Sequence, residues 1–289
     1  MVYRASFDSC WAKLERAKAH REELSGYISE TFVQTDASCP TLVGKLDSET
    51  GCYVFRIKTI PDLDPIMQRI GLIVGDVAQN LRAILDHLTW QLACWNTNGK
   101  PLNETAVQFP IVTSKPEVAD DERWKSARGR YLKEVHPDHV AIIETFQPYN
   151  GRAGRPDNWS GEYVHPLALL QELANTDKHR FLNPVLAVPS NMAMVFPPGV
   201  EQARREALAE GLPGVFIPDV VWDHAGEVIE LGAEVGRFRL EGEGLYPNME
   251  VYGKVQPSIA FRERGPIVPA LDRIGAFAML IVSEFEPLL

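Results

Sequence analysis

The chain has 289 residues, 45% of them hydrophobic, and a formal net charge of −10. That length supports one large core or two modest ones. The acidic balance excludes a broad nucleic-acid surface, because neutralising phosphates takes clustered Lys and Arg, and leaves room only for a local basic pocket.

The longest apolar runs, such as GAFAMLIV from Gly275 to Val282, fall far short of the roughly 20 residues a bilayer-spanning helix needs. With no charged-then-apolar leader at the start, a cytoplasmic protein without membrane contact is expected. The four cysteines, Cys10, Cys39, Cys52 and Cys94, form no C-x-x-C pair and read as reduced structural thiols.

In chain order, residues 7–33 place Phe7, Trp11, Leu14, Leu24, Ile28 and Phe32 at helical spacing with charges between them, an amphipathic helix. Two strand-like runs at about 41–61 flank DSETG, whose Asp47, Ser48 and Gly51 supply turn chemistry; a β-hairpin is expected.

Residues 64–96 carry the clearest helical signal. Asp64 suits the cap and Pro65 the first helical position, and Ile66, Ile70, Val74, Val77, Leu81, Leu85, Leu88, Leu92 and Trp95 recur on one side. The following NTNGKP is a stop.

An irregular stretch with an extended FPIV follows, then helices at about 121–135 and 137–147 and a long Gly- and Pro-rich loop over 147–166. A helix is expected over about 166–182. Strand-like pieces dominate 184–264 around a short helical candidate at 200–210, and an apolar helical pattern closes the chain.

The implied class is α+β. A helical bundle over 1–183 carries the inserted hairpin, 184–264 is mainly antiparallel β, and 265–289 is a C-terminal helix returning to the bundle.

On the 64–96 helix, about 100° per residue sets Asp76, Asn80, His87 and Gln91 as a polar stripe beside the apolar face. Taken alone, such a stripe reads as a satisfied network between helices, and Arg82 with Asp86 as an i, i+4 surface pair.

The segment RAILDH, Arg82 to His87, also fits R-x4-H, and in this it resembles the HEPN superfamily of helical nucleases and nucleotide-binding proteins. The resemblance implies metal-independent RNA cleavage, often in a homodimer. His87 would move a ribose 2′-OH proton and Arg82 would steady charge on the phosphate, with Asp86 and Asn80 completing the set. Five residues turn a helix by about 140°, so convergence of Arg82 with His87 calls for a second protomer or a neighbouring segment.

That neighbour is expected in NTDKHR, at the end of the 166–182 helix. Asp177 falls among the inward residues Leu170, Leu173, Ala174 and Phe181, so its carboxylate should meet a cation or several donors, or else the helix must unwind locally, with Arg82, Arg180 and His87 the candidates. Lys178, His179 and Arg180 either complement the helix C-terminus or join Asp177 in a substrate pocket facing Asp76, Asn80 and His87.

Together, NLRAILDHLTWQL and LLQELANTDKHR are similar to bacterial and phage proteins of about this length. That likeness implies an accessory, defence-related setting and carries no activity.

No H-E-x-x-H or H-x3-H occurs on a helix, and His136 and His139 flank Pro137 irregularly, so no metal is expected. Phosphate-binding glycine motifs are absent, and no cofactor is expected. Arg152 and Arg155 in GRAGR, with Trp159 and Tyr163, read as a surface loop, or as a phosphate and stacking surface. Two functions stand: a HEPN-like protein taking RNA or a nucleotide in a local pocket, or a non-catalytic binding protein whose polar clusters hold helices together.

Overall fold

A computed structural model of the chain describes residues 3–35, 37–113, 122–150, 164–180, 182–188, 226–239, 251–262 and 264–288. Six helices and two small antiparallel sheets are described, an α+β protein with a C-terminal helix. They fall into two compact units, residues 1–25, 68–182 and 268–289, and residues 26–67 and 183–267.

The first unit is helical. Helix α1 (Asp8–Ser29) buries Cys10, Leu14, Ala17 and Leu24, and a π-helical turn (Glu30–Gln34) follows it in the chain. Helix α2 (Asp64–Asn96) has the bounds its periodicity predicts, and buries Ile70, Val74, Val77, Leu81, Leu85, Leu88 and Leu92.

At its end Asn98 and Gly99 take positive φ (52° and 91°), and the Gly99 amide donates to the Cys94 carbonyl at 2.7 Å. This is a left-handed C-terminal cap satisfying carbonyls the helix would otherwise leave open. Tyr3 straps it: the amide donates to Asn98 Oδ1 and the hydroxyl to Gln91 Oε1, both at 2.8 Å.

Helices α3 (Glu122–Tyr131), α4 (Pro137–Thr145) and α5 (Pro166–His179) are shorter. Two of them start alike, with His then Pro. In α4 His136 Nδ1 accepts the Asp138 amide at 3.3 Å, and in α5 His165 Nδ1 accepts the Leu167 amide at 3.2 Å. Each imidazole serves as N-cap and each proline, at the first helical position, gives up no needed donor.

Helix α6 (Ile267–Phe285) packs back on this unit. Arg21 makes a bidentate pair with Asp272 at 2.8 and 2.7 Å, Trp11 Nε1 donates to Glu286 at 3.0 Å, and the Phe277 ring meets Phe146 edge-on at 5.9 Å.

The second unit holds the sheets. Strands β1 (Thr41–Asp47) and β2 (Cys52–Thr59) form the expected hairpin. Its turn is built on Asp47, whose carboxylate accepts the Glu49 amide (2.9 Å) and the Thr50 hydroxyl (3.0 Å), with Gly51 at φ +68°. Those donors hold the Asp47 carboxyl below its ordinary range.

The hairpin is inserted in sequence between helices, yet its sheet partners come from the β region. β2 pairs with β4 (Glu234–Arg239) and β1 with β5 (Val251–Lys254), in the order β4-β2-β1-β5. An isolated hairpin is marginal, and two further strands supply the pairing it lacks. Gly44 faces Phe55 across this sheet, and a Cβ at Gly44 would lie 2.5 Å from the ring, so the glycine makes room for a fully buried phenylalanine.

A second sheet, β3 (Val185–Ala187), β6 (Ser258–Phe261) and β7 (Gly265–Pro266), is ordered β3-β6-β7. The loop with Arg152, Arg155, Trp159 and Tyr163, the residue Phe181, and the stretch 189–225 with its helical candidate lie outside the described residues.

Candidate functional site

Helix α2 carries Arg82 and Asp86 one turn apart, and the two side chains close on each other. Arg82 Nε donates to Asp86 Oδ2 at 3.2 Å and Nη2 to Oδ1 at 3.0 Å. The pair is a partly buried clamp, Arg82 12% and Asp86 32% exposed, where the sequence suggests a surface pair.

The clamp holds the extended FPIV segment. Asp86 Oδ1 accepts the Phe109 amide at 2.9 Å while Arg82 Nη2 donates to the Phe109 carbonyl at 2.5 Å. Together the two side chains present Phe109 with one acceptor and one donor, as a neighbouring β-strand would. Phe109 is fully buried, so its backbone amide and carbonyl need partners, and Asp86 and Arg82 supply them.

Gln147 repeats the device three residues on. Its Oε1 accepts the Val112 amide at 2.9 Å, and its Nε2 donates to the Ile143 carbonyl at 3.2 Å.

Arg82 reaches further, with Nη1 donating to Gln171 Oε1 of α5 at 3.4 Å. The α2–α5 crossing continues at Gln79, whose Nε2 donates to the Ala174 carbonyl at 3.3 Å and to Asp177 Oδ2 at 3.0 Å. At Gly75 a Cβ would fall 2.1 Å from Asp177 Oδ1. Levels 75, 79 and 82 of α2 thus meet 177, 174 and 171 of α5, an antiparallel crossing in which the glycine admits the carboxylate.

This arrangement decides between the alternatives left open for this cluster. Asp177 meets no cation among the described residues: it lies over Gly75, is only half-buried, and takes its hydrogen bond from the neutral Gln79. Nor does Asp177 come to His87. Gly75 and His87 are twelve positions apart on one straight element, about 18 Å at 1.5 Å per residue. Lys178, His179 and Arg180 are exposed at the end of α5, with the Arg180 amide donating to the Thr176 carbonyl at 2.8 Å.

The polar stripe is also divided. Asn80 Nδ2 donates to the Asp76 carbonyl at 2.8 Å on its own helix, and Gln91 binds the Tyr3 strap. His87 is half-buried and makes no hydrogen bond or ion pair among the described residues. Arg82 therefore does not turn toward His87; its donors go to Asp86, Phe109 and Gln171.

A second group of titratable side chains lies where α2, α4 and α6 meet. The His139 ring stands 5.0 Å from Trp95, 5.8 Å from His136 and 5.7 Å from Phe285, centroid to centroid. Its Nδ1 is buried without a hydrogen-bond partner. Burial first, and then the like charge of His136, push the His139 pKa below its ordinary 6.5, with Asp138 acting the other way.

A proton is therefore taken up more readily by the unfolded chain. Stability is full above about pH 6.5 and falls as pH drops through the folded-state pKa. Thermal melts between pH 7.5 and 5.5 should show a falling Tm for the wild type and a shallower fall for His139→Phe; parallel curves would contradict the assignment.

No group of three or more His, Cys, Asp or Glu among the described residues is placed to hold a metal ion. The four cysteines form no disulfide, and burial pushes Cys10 up to about 11, far from a nucleophilic thiolate at neutral pH. No helix among the described residues is long and apolar enough to cross a membrane.

Three concave surfaces are formed elsewhere among the described residues. A groove of about 340 Å³ runs between α1, α2 and α6 over Leu14, Ala17, Val77, Leu81 and Gly275. Another of about 610 Å³ lies between residues 102–108 and 129–134, and a third of about 360 Å³ along α3. Arg82, Asp86 and His87 line none of the three.

Two local sequence signals mark these roles. HP at 136–137 and 165–166 marks two capped helix starts, and a glycine inside a strong helical pattern, Gly75, marks a close approach. Set beside known proteins, the chain matches no family model, no curated protein and no solved structure.

Proposed function

We propose that the chain is a non-catalytic binding protein in which the R-x4-H segment of α2 is architectural. The observation that carries this reading is the commitment of Arg82: its guanidinium is held by Asp86, by the Phe109 carbonyl and by Gln171. A guanidinium so engaged must leave three partners before it can meet a phosphate, and transition-state stabilisation depends on donors already aimed at the developing charge.

A second reading has one observation in its favour. His87 is partly exposed and uncommitted, so a second protomer bringing a cation to it would assemble HEPN-type cleavage of RNA across a dimer.

Incubation of wild type and His87→Ala with labelled single-stranded RNA, in the presence of a chelator, separates the two. The architectural reading expects intact RNA with both proteins, and a stability change for His87→Ala within about 1 kcal/mol, since no hydrogen bond is lost. Cleavage by the wild type that disappears in His87→Ala overturns it and establishes the second reading.

A further inference from the structure

One segment of this acidic chain carries a local excess of positive charge. Over residues 122–135 the sequence carries Arg123, Lys125, Arg128, Arg130 and Lys133 against Glu122 and Glu134. All five cations are exposed, with Trp124 as the buried anchor of α3 and Leu132 and Val135 anchoring the turn that follows.

Arg128, Arg130 and Lys133 form no ion pair among the described residues. The neighbouring Glu134 keeps its charge but pairs with none of the three, because its carboxylate is directed to two backbone donors: Oε1 accepts the Asn103 amide at 3.0 Å and Oε2 the Leu102 amide. A carboxylate used in this way fixes the 102–103 backbone and leaves the cations open to an outside anion.

Those cations border a shaped space. The concavity of about 610 Å³ is lined by Arg130, Lys133, Glu134, Tyr131 and the polar Asn103, Thr105 and Gln108, so two cations face one carboxylate there. Arg130 and Tyr131 also border the shallower groove along α3, and the Arg130 guanidinium lies over the Tyr131 ring at 5.1 Å from its centroid. Small-ligand sites span about 300–1,000 Å³, so the space suits one nucleotide and is too confined to track a polymer.

We infer that this concavity is a mononucleotide-binding site, with Arg130 and Lys133 taking the phosphates and Tyr131, Asn103 and Gln108 meeting the nucleoside. A planar guanidinium fork and a mobile ammonium are complementary means of holding phosphate oxygens. A phenol ring and neutral amides suit a base, which offers a π-face and a donor–acceptor edge. The inference names a ligand class for the non-catalytic binding protein proposed above and rests on that reading.

The test is calorimetric titration of the full chain, at low ionic strength, with ATP, inorganic pyrophosphate, adenosine and a 12-nucleotide RNA in separate runs. The proteins are wild type, the double variant Arg130→Ala/Lys133→Ala, and Arg16→Ala on α1 as a remote exposed control, each verified as folded by its melting curve.

Wild type and Arg16→Ala are expected to bind ATP with a Kd of about 10–500 μM. Pyrophosphate should bind more weakly and adenosine not measurably, and the double variant should lose about tenfold or more in affinity for ATP. The inference is overturned if ATP gives no heat up to millimolar concentration, if the double variant binds as wild type does, if pyrophosphate binds as tightly as ATP, or if the RNA binds where ATP does not. A failure here leaves the RNA-cleavage result unaffected, so the two proposals fail separately.

Discussion

Arg82→Ala is expected to lower the unfolding free energy by about 2–3 kcal/mol. That places it between the few tenths of an exposed ion pair and the 3–5 kcal/mol of breaking a fully buried one. Three losses combine: the Asp86 carboxylate is left without its counter-charge, the Phe109 carbonyl loses its donor, and Gln171 loses its link to α2. Water reaches Asp86, which is 32% exposed, and this limits the cost. Arg82→Lys should recover only part of it, since an ammonium cannot span the carboxylate and the Phe109 carbonyl as the planar fork does. Urea denaturation of the three proteins measures the ordering directly; an Arg82→Ala midpoint equal to wild type would show that the clamp holds nothing.

Gly75→Ala should also destabilise, by about 1–2 kcal/mol, although alanine ordinarily improves a helix interior by about 0.5–1 kcal/mol over glycine. The new methyl would sit 2.1 Å from Asp177 Oδ1 and 2.8 Å from its Cγ, so either the carboxylate swings away from Gln79 or the helices part. In an Asp177→Ala background the obstruction is gone, and the same change should become neutral or stabilising. That reversal of sign is the readout. Gly75→Ala destabilising equally in both backgrounds would place its cost somewhere other than the Asp177 contact.

The two variants probe the same α2–α5 crossing from opposite chemistries, one removing a charge and one adding a methyl. Both predict that polar residues along α2 act by positioning its neighbours. Of the residues that suggest catalysis in the sequence, Arg82 and Asp86 bind α2 to the Phe109 backbone, and Arg82 also to Gln171 of α5.

Much of the local structure is legible in the sequence. Asp64, Pro65 and a sustained apolar period delimit α2, because capping and burial are properties of nearby residues. The hairpin is equally plain from Asp47 and Gly51, whose turn hydrogen bonds close within a few positions. Its sheet mates are not, since β1 pairs Val43 with Tyr252 across most of the chain's length and no local pattern encodes that partner.

The fate of Arg82 was hidden for the same reason. Its i, i+4 relation to Asp86 is visible, but the bonds that decide its role go to Phe109 and Gln171, 27 and 89 positions away. An R-x4-H spelling is silent on whether the arginine is free. For Asp177 the inward wheel position leaves open a cation or several donors, and the choice is made by α2: Gly75 gives the carboxylate room and Gln79 a neutral donor, so it stays half in water.

The most direct measurement is the coupling energy between Arg82 and Asp86, from urea unfolding of wild type, Arg82→Ala, Asp86→Ala and the double variant. An architectural clamp shared with the Phe109 backbone predicts a coupling of about 1.5 kcal/mol or more, with the double variant little worse than either single one. A coupling of only a few tenths of a kcal/mol, the value of an exposed i, i+4 pair, would contradict the account and return Arg82 to the pool of groups free to act on a ligand.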